Sequence, residues 1–83
     1  MNTPDPQVVD AATNHQIGGV DVCDSLEAMH ETRKYIEGYL HALFEHHIID
    51  ASTYHNYQRA LSDRMIQRLD ALGLDSDVTA TYP

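Results

Sequence analysis

The fold is decided by residues 24–74, DSLEAMHETRKYIEGYLHALFEHHIIDASTYHNYQRALSDRMIQRLDALGL. Asp24 followed three residues later by Glu27 is a capping-box pattern, so a helix is expected to start there. At about 100° per residue, Met29, Ile36, Leu40 and Leu43 fall within about 60° of one another. Glu27, Glu31, Lys34, Glu37, His41 and Glu45 fall on the opposite side, which predicts an amphipathic helix of roughly six turns ending near His47. Gly38 lies on the polar side, where it costs about 1 kcal/mol of propensity without breaking the apolar stripe.

A second helix is expected to start at Asp50. Ile49 and Tyr54 occupy the two positions of a hydrophobic staple around it. Tyr54, Tyr57, Leu61, Met65, Leu69 and Leu72 then line one face. Gly73 is placed to stop the helix in the left-handed conformation, with Leu74 folding back on Leu69 as a Schellman ending requires. Only Ile48 to Asp50 are left as a link, so the two helices are expected to form an antiparallel αα-hairpin.

Outward from this stretch the pattern fades. Residues 1–22 mix Pro4, Pro6, Asn14, Gly18 and Gly19 with scattered valines and show no helical period. They are expected to be a flexible tail, with a short strand at Ile17–Val22 only if an edge is offered. Residues 75–83 are expected to be a second polar, flexible tail, which leaves 23–74 as the ordered unit. The expected fold class is therefore all-α: a two-helix hairpin with flexible tails.

So small a unit is expected to need a partner. The apolar arc of the first helix runs from Ala42, Tyr35 and Ala28 through Tyr39, Leu43, Ile36 and Leu40 to Leu26 and Phe44. It is roughly 200° wide, against the ≳ 100° stripe that suffices for one neighbour. One flank should pack on the second helix and the other on something else, so a homodimer forming a helical bundle is expected. The core and dimer seam are assigned to Leu26, Met29, Ile36, Leu40, Tyr54, Leu61, Met65, Leu69 and Leu72. Tyr35, Tyr39, Leu43 and Phe44 are assigned to a partner-binding flank, rimmed by Glu31 and Thr32, because tyrosine is an amphipathic contact residue enriched at interface hot spots. Arg64 and Arg68 beside Leu61 are free to pair with acids of the first helix or of a partner.

Composition narrows the function. The 83 residues carry 13 Asp and Glu against five Lys and Arg, a net charge of −8. Phosphate backbones and anionic lipid repel such a chain, so no direct nucleic-acid binding and no membrane docking are expected. An acidic protein of this size meets a basic or apolar protein surface more readily, or uses the charge only for solubility. No stretch is long and apolar enough to span a bilayer, and Met1–Asp10 lacks the basic and apolar regions of a secretory signal. A single cysteine, Cys23, fits a reducing compartment, and a cytoplasmic, bacterial protein is expected.

Reactive chemistry is scarce. Glu37, His41 and Glu45 stand at i, i+4 and i+8, with His30 on the same side, but a zinc site needs three or four converging ligands with supporting partners. No metal and no cofactor are expected, although a His-rich metal-binding hairpin is a further alternative. His46 and His47 close the first helix, where a cationic ring suits the helix dipole. Cys23 precedes a helix start, yet Asp24 and Glu27 oppose any lowering of its pKa, so it reads as a plain free thiol. No serine sits in a nucleophile elbow and a two-helix unit has no cavity for an active site, so no enzymatic activity is expected.

The amphipathic run Leu26, Met29, Ile36, Leu40, Leu43 and the staple Ile49-Asp50-Ala51-Ser52-Thr53-Tyr54 resemble the small helical anti-activators of LuxR-type quorum-sensing regulators, the TraM and QslA type, over Asp24–Leu74. That resemblance implies a helical dimer that covers part of a transcriptional regulator and blocks its dimerisation or DNA binding. The alternatives are a structural or assembly subunit and a phage-type inhibitor of another host protein.

Overall fold

The computed structural model describes residues 5–73, whose regular elements are all helical. The elements are α1 (Pro6–Gly18), a 3-10 turn η1 (Gly19–Val22), α2 (Leu26–Glu45) and α3 (Ala51–Ala71). The expected C-terminal tail, 75–83, and the fold-back of Leu74 lie outside the described residues.

The N-terminal segment departs from the expectation of a tail with a short strand. Asp5 caps α1 by accepting the Gln7 N–H at 2.8 Å, and Pro6 occupies the first helical position, where its missing N–H costs nothing. Ile17–Val22 does not form a strand: the chain runs through the end of α1 into η1. Thr13, Ile17 and Val20 point inward and are fully buried, with Val9 half-buried on the same side. These four stand at i, i+4, i+8 and i+11, one helical face whose period is masked by a threonine in its middle.

The start of α2 is one residue later than the capping-box pattern indicates. Ser25, not Asp24, is the cap: its Oγ accepts the Ala28 N–H at 3.1 Å. Both residues satisfy the cap preference, and the extended backbone falls on Ser25. At its other end α2 stops at Glu45 rather than His47, and residues 46–50 join it to α3. There His47 adopts a left-handed φ of 60°. Its N–H donates to the Phe44 carbonyl at 3.1 Å and the Ile48 N–H donates to the Leu43 carbonyl at 2.9 Å, which is a Schellman ending built on a histidine instead of glycine. Asp50 caps α3 as expected, accepting the Thr53 N–H at 2.8 Å, and Gly73 ends it with a φ of +73°.

α2 and α3 pack against each other with their directions opposed. Phe44 near the end of α2 stacks on Tyr54 at the start of α3, ring centroids 4.9 Å apart and planes 6° from parallel. At the other end the Arg68 Nε–H donates to the Cys23 carbonyl at 2.7 Å. α1 and η1 lie across both long helices, so the core is shared by all four elements: Ile17, Val20, Cys23, Met29, Ile36, Leu40, Tyr57 and Leu61.

This arrangement explains the 200° apolar arc of α2. Met29, Ile36 and Leu40 face the centre and are buried. Phe44 on one flank meets α3, while Thr32 on the other meets the Cys23 thiol just past η1. Around Thr32 the flank expected to need an outside neighbour is met by the chain's own N-terminal segment, while Tyr35 stays exposed. Leu26, assigned to the core and dimer seam, is 49% exposed in the single chain, at the very start of α2.

Candidate functional site

The residues assigned to a partner-binding flank do not share one surface. Phe44 is nine residues beyond Tyr35, hence about 180° away around α2. Phe44 is half-buried in its stack with Tyr54, and Thr32 is half-buried with its Oγ1 3.3 Å from the Cys23 sulfur. Tyr39 packs on the core beside Tyr57, and Leu43 is half-buried. Tyr35 alone of the four apolar candidates is open, at 65% exposure, with Glu31 and Lys34 paired at 3.9 Å on the same exposed side. At 71% and 74% exposure that ion pair contributes little. Leu26 and Ile66, 49% and 54% exposed, are further apolar side chains in solvent, as are Val8 and Val22.

The polar chemistry concentrates where α1 and η1 sit on α3. The Tyr57 hydroxyl donates to Asp10 Oδ1 at 2.6 Å. Burial, joined by that hydrogen bond and by the negative charge of Asp10, pushes the Tyr57 phenol up to about 12. About two and three turns further along α3, Arg64 reaches Asp21 of η1 at 3.4 Å and Arg68 holds the Cys23 carbonyl. The arginines expected to meet acids of the first helix or of a partner are therefore taken by η1 and the link that follows it. Asp10, Asp21 and Tyr57 were not singled out from sequence as a set, and their only signal is the period shared by Tyr57, Leu61, Arg64 and Arg68 on one side of α3.

The Thr13 hydroxyl, in a fully buried side chain, lies beside the Tyr57 phenol. The Arg64 Nε is buried without an acceptor among the described residues. Such a group costs about 1–3 kcal/mol when left unsatisfied. Near the start of α1 the packing is also open: a cleft of about 200 Å³ lies between Pro6 and Val9 on one side and Ile48, Ile49, Thr53 and Tyr57 on the other.

The remaining candidates do not converge. Among the described residues no three of His, Cys, Asp and Glu are grouped to hold a metal ion. His41 pairs with Glu45 at 3.3 Å in an exposed i, i+4 contact. Cys23 is buried against Thr32 and Gly19. No described helix is long and apolar enough to cross a membrane. No protein-family model, curated protein or solved structure matches this chain.

Proposed function

We propose that this is a small acidic interaction protein, without catalytic activity, that binds and inhibits a protein partner. The observation that carries the reading is the exposure of Tyr35 at 65% on a helix whose neighbouring apolar positions are packed. A tyrosine held on a rigid helix offers large contact area at little cost in side-chain entropy. The net charge of −8 favours a basic or apolar partner and disfavours nucleic acid.

The class of partner follows from the resemblance of the α2–α3 stretch to anti-activators of LuxR-type regulators: a transcription factor whose dimerisation or DNA binding is blocked, in the cytoplasm of a bacterium. The hairpin of α2 and α3 then acts as the rigid unit, and two copies associate into a bundle through side chains such as Leu26 and Ile66 that the single chain leaves in solvent.

The test is capture of partners from bacterial lysate by the full chain and by Tyr35→Ala, with circular dichroism on both. The variant is expected to keep its helicity and lose a specific partner by roughly 30-fold or more in affinity, since truncating a hot spot costs ≥ 2 kcal/mol. Equal capture by both proteins overturns the assignment of Tyr35. Capture of no regulator overturns the partner class.

A further inference from the structure

We propose that the side of the α2–α3 hairpin turned away from α1–η1 is a two-fold seam, on which a second copy of this chain lays its α2 antiparallel to the first, with Arg33 of each copy paired to Glu37 of the other. The inference deepens the association of two copies in the proposed function and rests on it.

The hairpin has two sides, and the chain covers one of them. Thr32 on α2 meets Cys23, while Tyr57 and Arg64 on α3 meet Asp10 and Asp21. At about 100° per residue, Leu26, Arg33, Glu37 and Phe44 lie about 100–140° around α2 from Thr32, all in one sense. Met65, Leu69 and Ile66 lie about 100–200° around α3 from Arg64 in the same sense, which for antiparallel helices is the same side of the hairpin. On that side Leu26 and Ile66 are 49% and 54% exposed, and Phe44, Met65 and Leu69 are half-buried. Arg33 stands in the middle of this apolar strip. Its Nε is buried without an acceptor among the described residues, although Glu37 is one turn away on the same helix. A donor left in that state destabilises the single chain until an acceptor meets it.

Symmetry and charge fix the occupant. A two-fold contact has to be complementary to itself. Positions 33 and 37 are centred on 35, and so are 26 and 44. One axis at that level therefore sets Arg33 against Glu37 twice and Leu26 against Phe44 twice. The stack of Phe44 on Tyr54 places position 63 of α3 opposite position 35, so Ile66 falls within about one turn of the same axis. The net charge of −8 does not oppose this contact. Of the four glutamates of α2 only Glu37 is on this side, and Asp63 and Asp70 stand exposed at its outer rim, where salt screens them. Tyr35 lies about 160° around α2 from Arg33 and stays open to the partner of the proposed function.

The test is sedimentation equilibrium of the full chain, wild type and variants, with circular dichroism on each. Arg33→Glu and Glu37→Arg each bring like charges together twice in a homodimer, so each is expected to weaken association at least tenfold. An equimolar mixture of the two variants is expected to recover association to within about threefold of wild type, because every 33–37 contact in the mixed dimer again joins opposite charges. Mixing cannot repair a repulsion inside one helix, so recovery belongs to the seam between copies. If a reversal costs helicity, Arg33→Gln takes its place, with an expected loss of about fivefold or more at unchanged helicity. Variants that associate as the wild type does, or a mixture that stays monomeric, overturn the proposed register while the wild-type dimer stands. A monomeric wild type overturns the seam and the association of copies together, and leaves Tyr35 to its own test.

Discussion

Tyr57 on α3 donates a 2.6 Å hydrogen bond to Asp10 on α1, joining positions 47 apart in the chain. The ring is buried at the centre of the shared core, while Asp10 is exposed on its other side. Tyr57→Phe keeps the ring and removes the donor. A bond to a charged acceptor sits at the upper end of the usual range, and solvent on Asp10 brings the expected loss to about 1 kcal/mol. For a domain of this size that lowers Tm by roughly 4–8 °C. Burial of the phenol, reinforced by the same bond, sets an alkaline limit. The folded phenol, at about 12, holds its proton above the ordinary value of 10.0. The folded state therefore binds more protons than the unfolded one between those values, and stability is complete below pH 10 and falls as pH rises toward 12. Thermal melts across that window should show the fall, and Tyr57→Phe should flatten it.

The α2–α3 stretch was legible because its apolar residues keep a helical period and its ends carry recognisable caps. Asp50 and Gly73 do in the structure what their types suggest. The N-terminal helix was not legible because Pro6 reads as a breaker until Asp5 is seen as its cap, and because Thr13 interrupts Val9, Ile17 and Val20. Without α1–η1 the wide arc of α2 has no neighbour within the chain, which is why the pattern alone points it at a partner. The residues with the most polar chemistry, Asp10, Asp21 and Tyr57, are brought together only by the crossing of α1–η1 over α3. No spacing within the sequence announces a contact between positions 10 and 57.

Asp50 links stability to acid. The Thr53 N–H bond to its carboxylate draws the pKa below the ordinary carboxylate value. A lowered folded pKa contributes stability that is present above the unfolded value, near 3.8, and is lost as pH falls through the folded one. Asp50→Ala removes the cap and should lower Tm at pH 7 by on the order of a few degrees. Asp50→Asn keeps an acceptor, so it should stay close to wild type at pH 7 and lose less between pH 5 and pH 2. Melts of the three proteins at several pH values decide this.

His47 carries a left-handed backbone at the end of α2, a conformation that costs an L residue about 1–2 kcal/mol. Glycine adopts it without that cost but loses more entropy on folding. His47→Gly should therefore stabilise the chain by about 0.5–1 kcal/mol. His47→Val, with a branched Cβ, should destabilise it. Urea midpoints at constant slope measure both, and a destabilising glycine would show that the histidine ring makes a contact worth more than the backbone strain.

Leu26 and Ile66 test the proposed association of two chains. Both are about half exposed, and the core of the single chain closes without them. Replacing either with serine should leave the monomer fold almost unchanged, since substitutions away from packed positions stay within about 0.5 kcal/mol. In a dimer the same side chains are removed from water, and each loss weakens association by about 1–2 kcal/mol at 25 cal/mol per Å² of apolar area. The wild-type chain, of 9.4 kDa, should sediment at twice that mass, with a Tm that rises with concentration. The double variant Leu26→Ser, Ile66→Ser should sediment at the monomer mass with unchanged helicity and a Tm independent of concentration. If the wild type already behaves as that variant does, the exposed leucine and isoleucine are not a seam between copies. The packing of α2 then closes entirely on α3 and α1–η1, and the apolar side chains left outside are available only to a different protein.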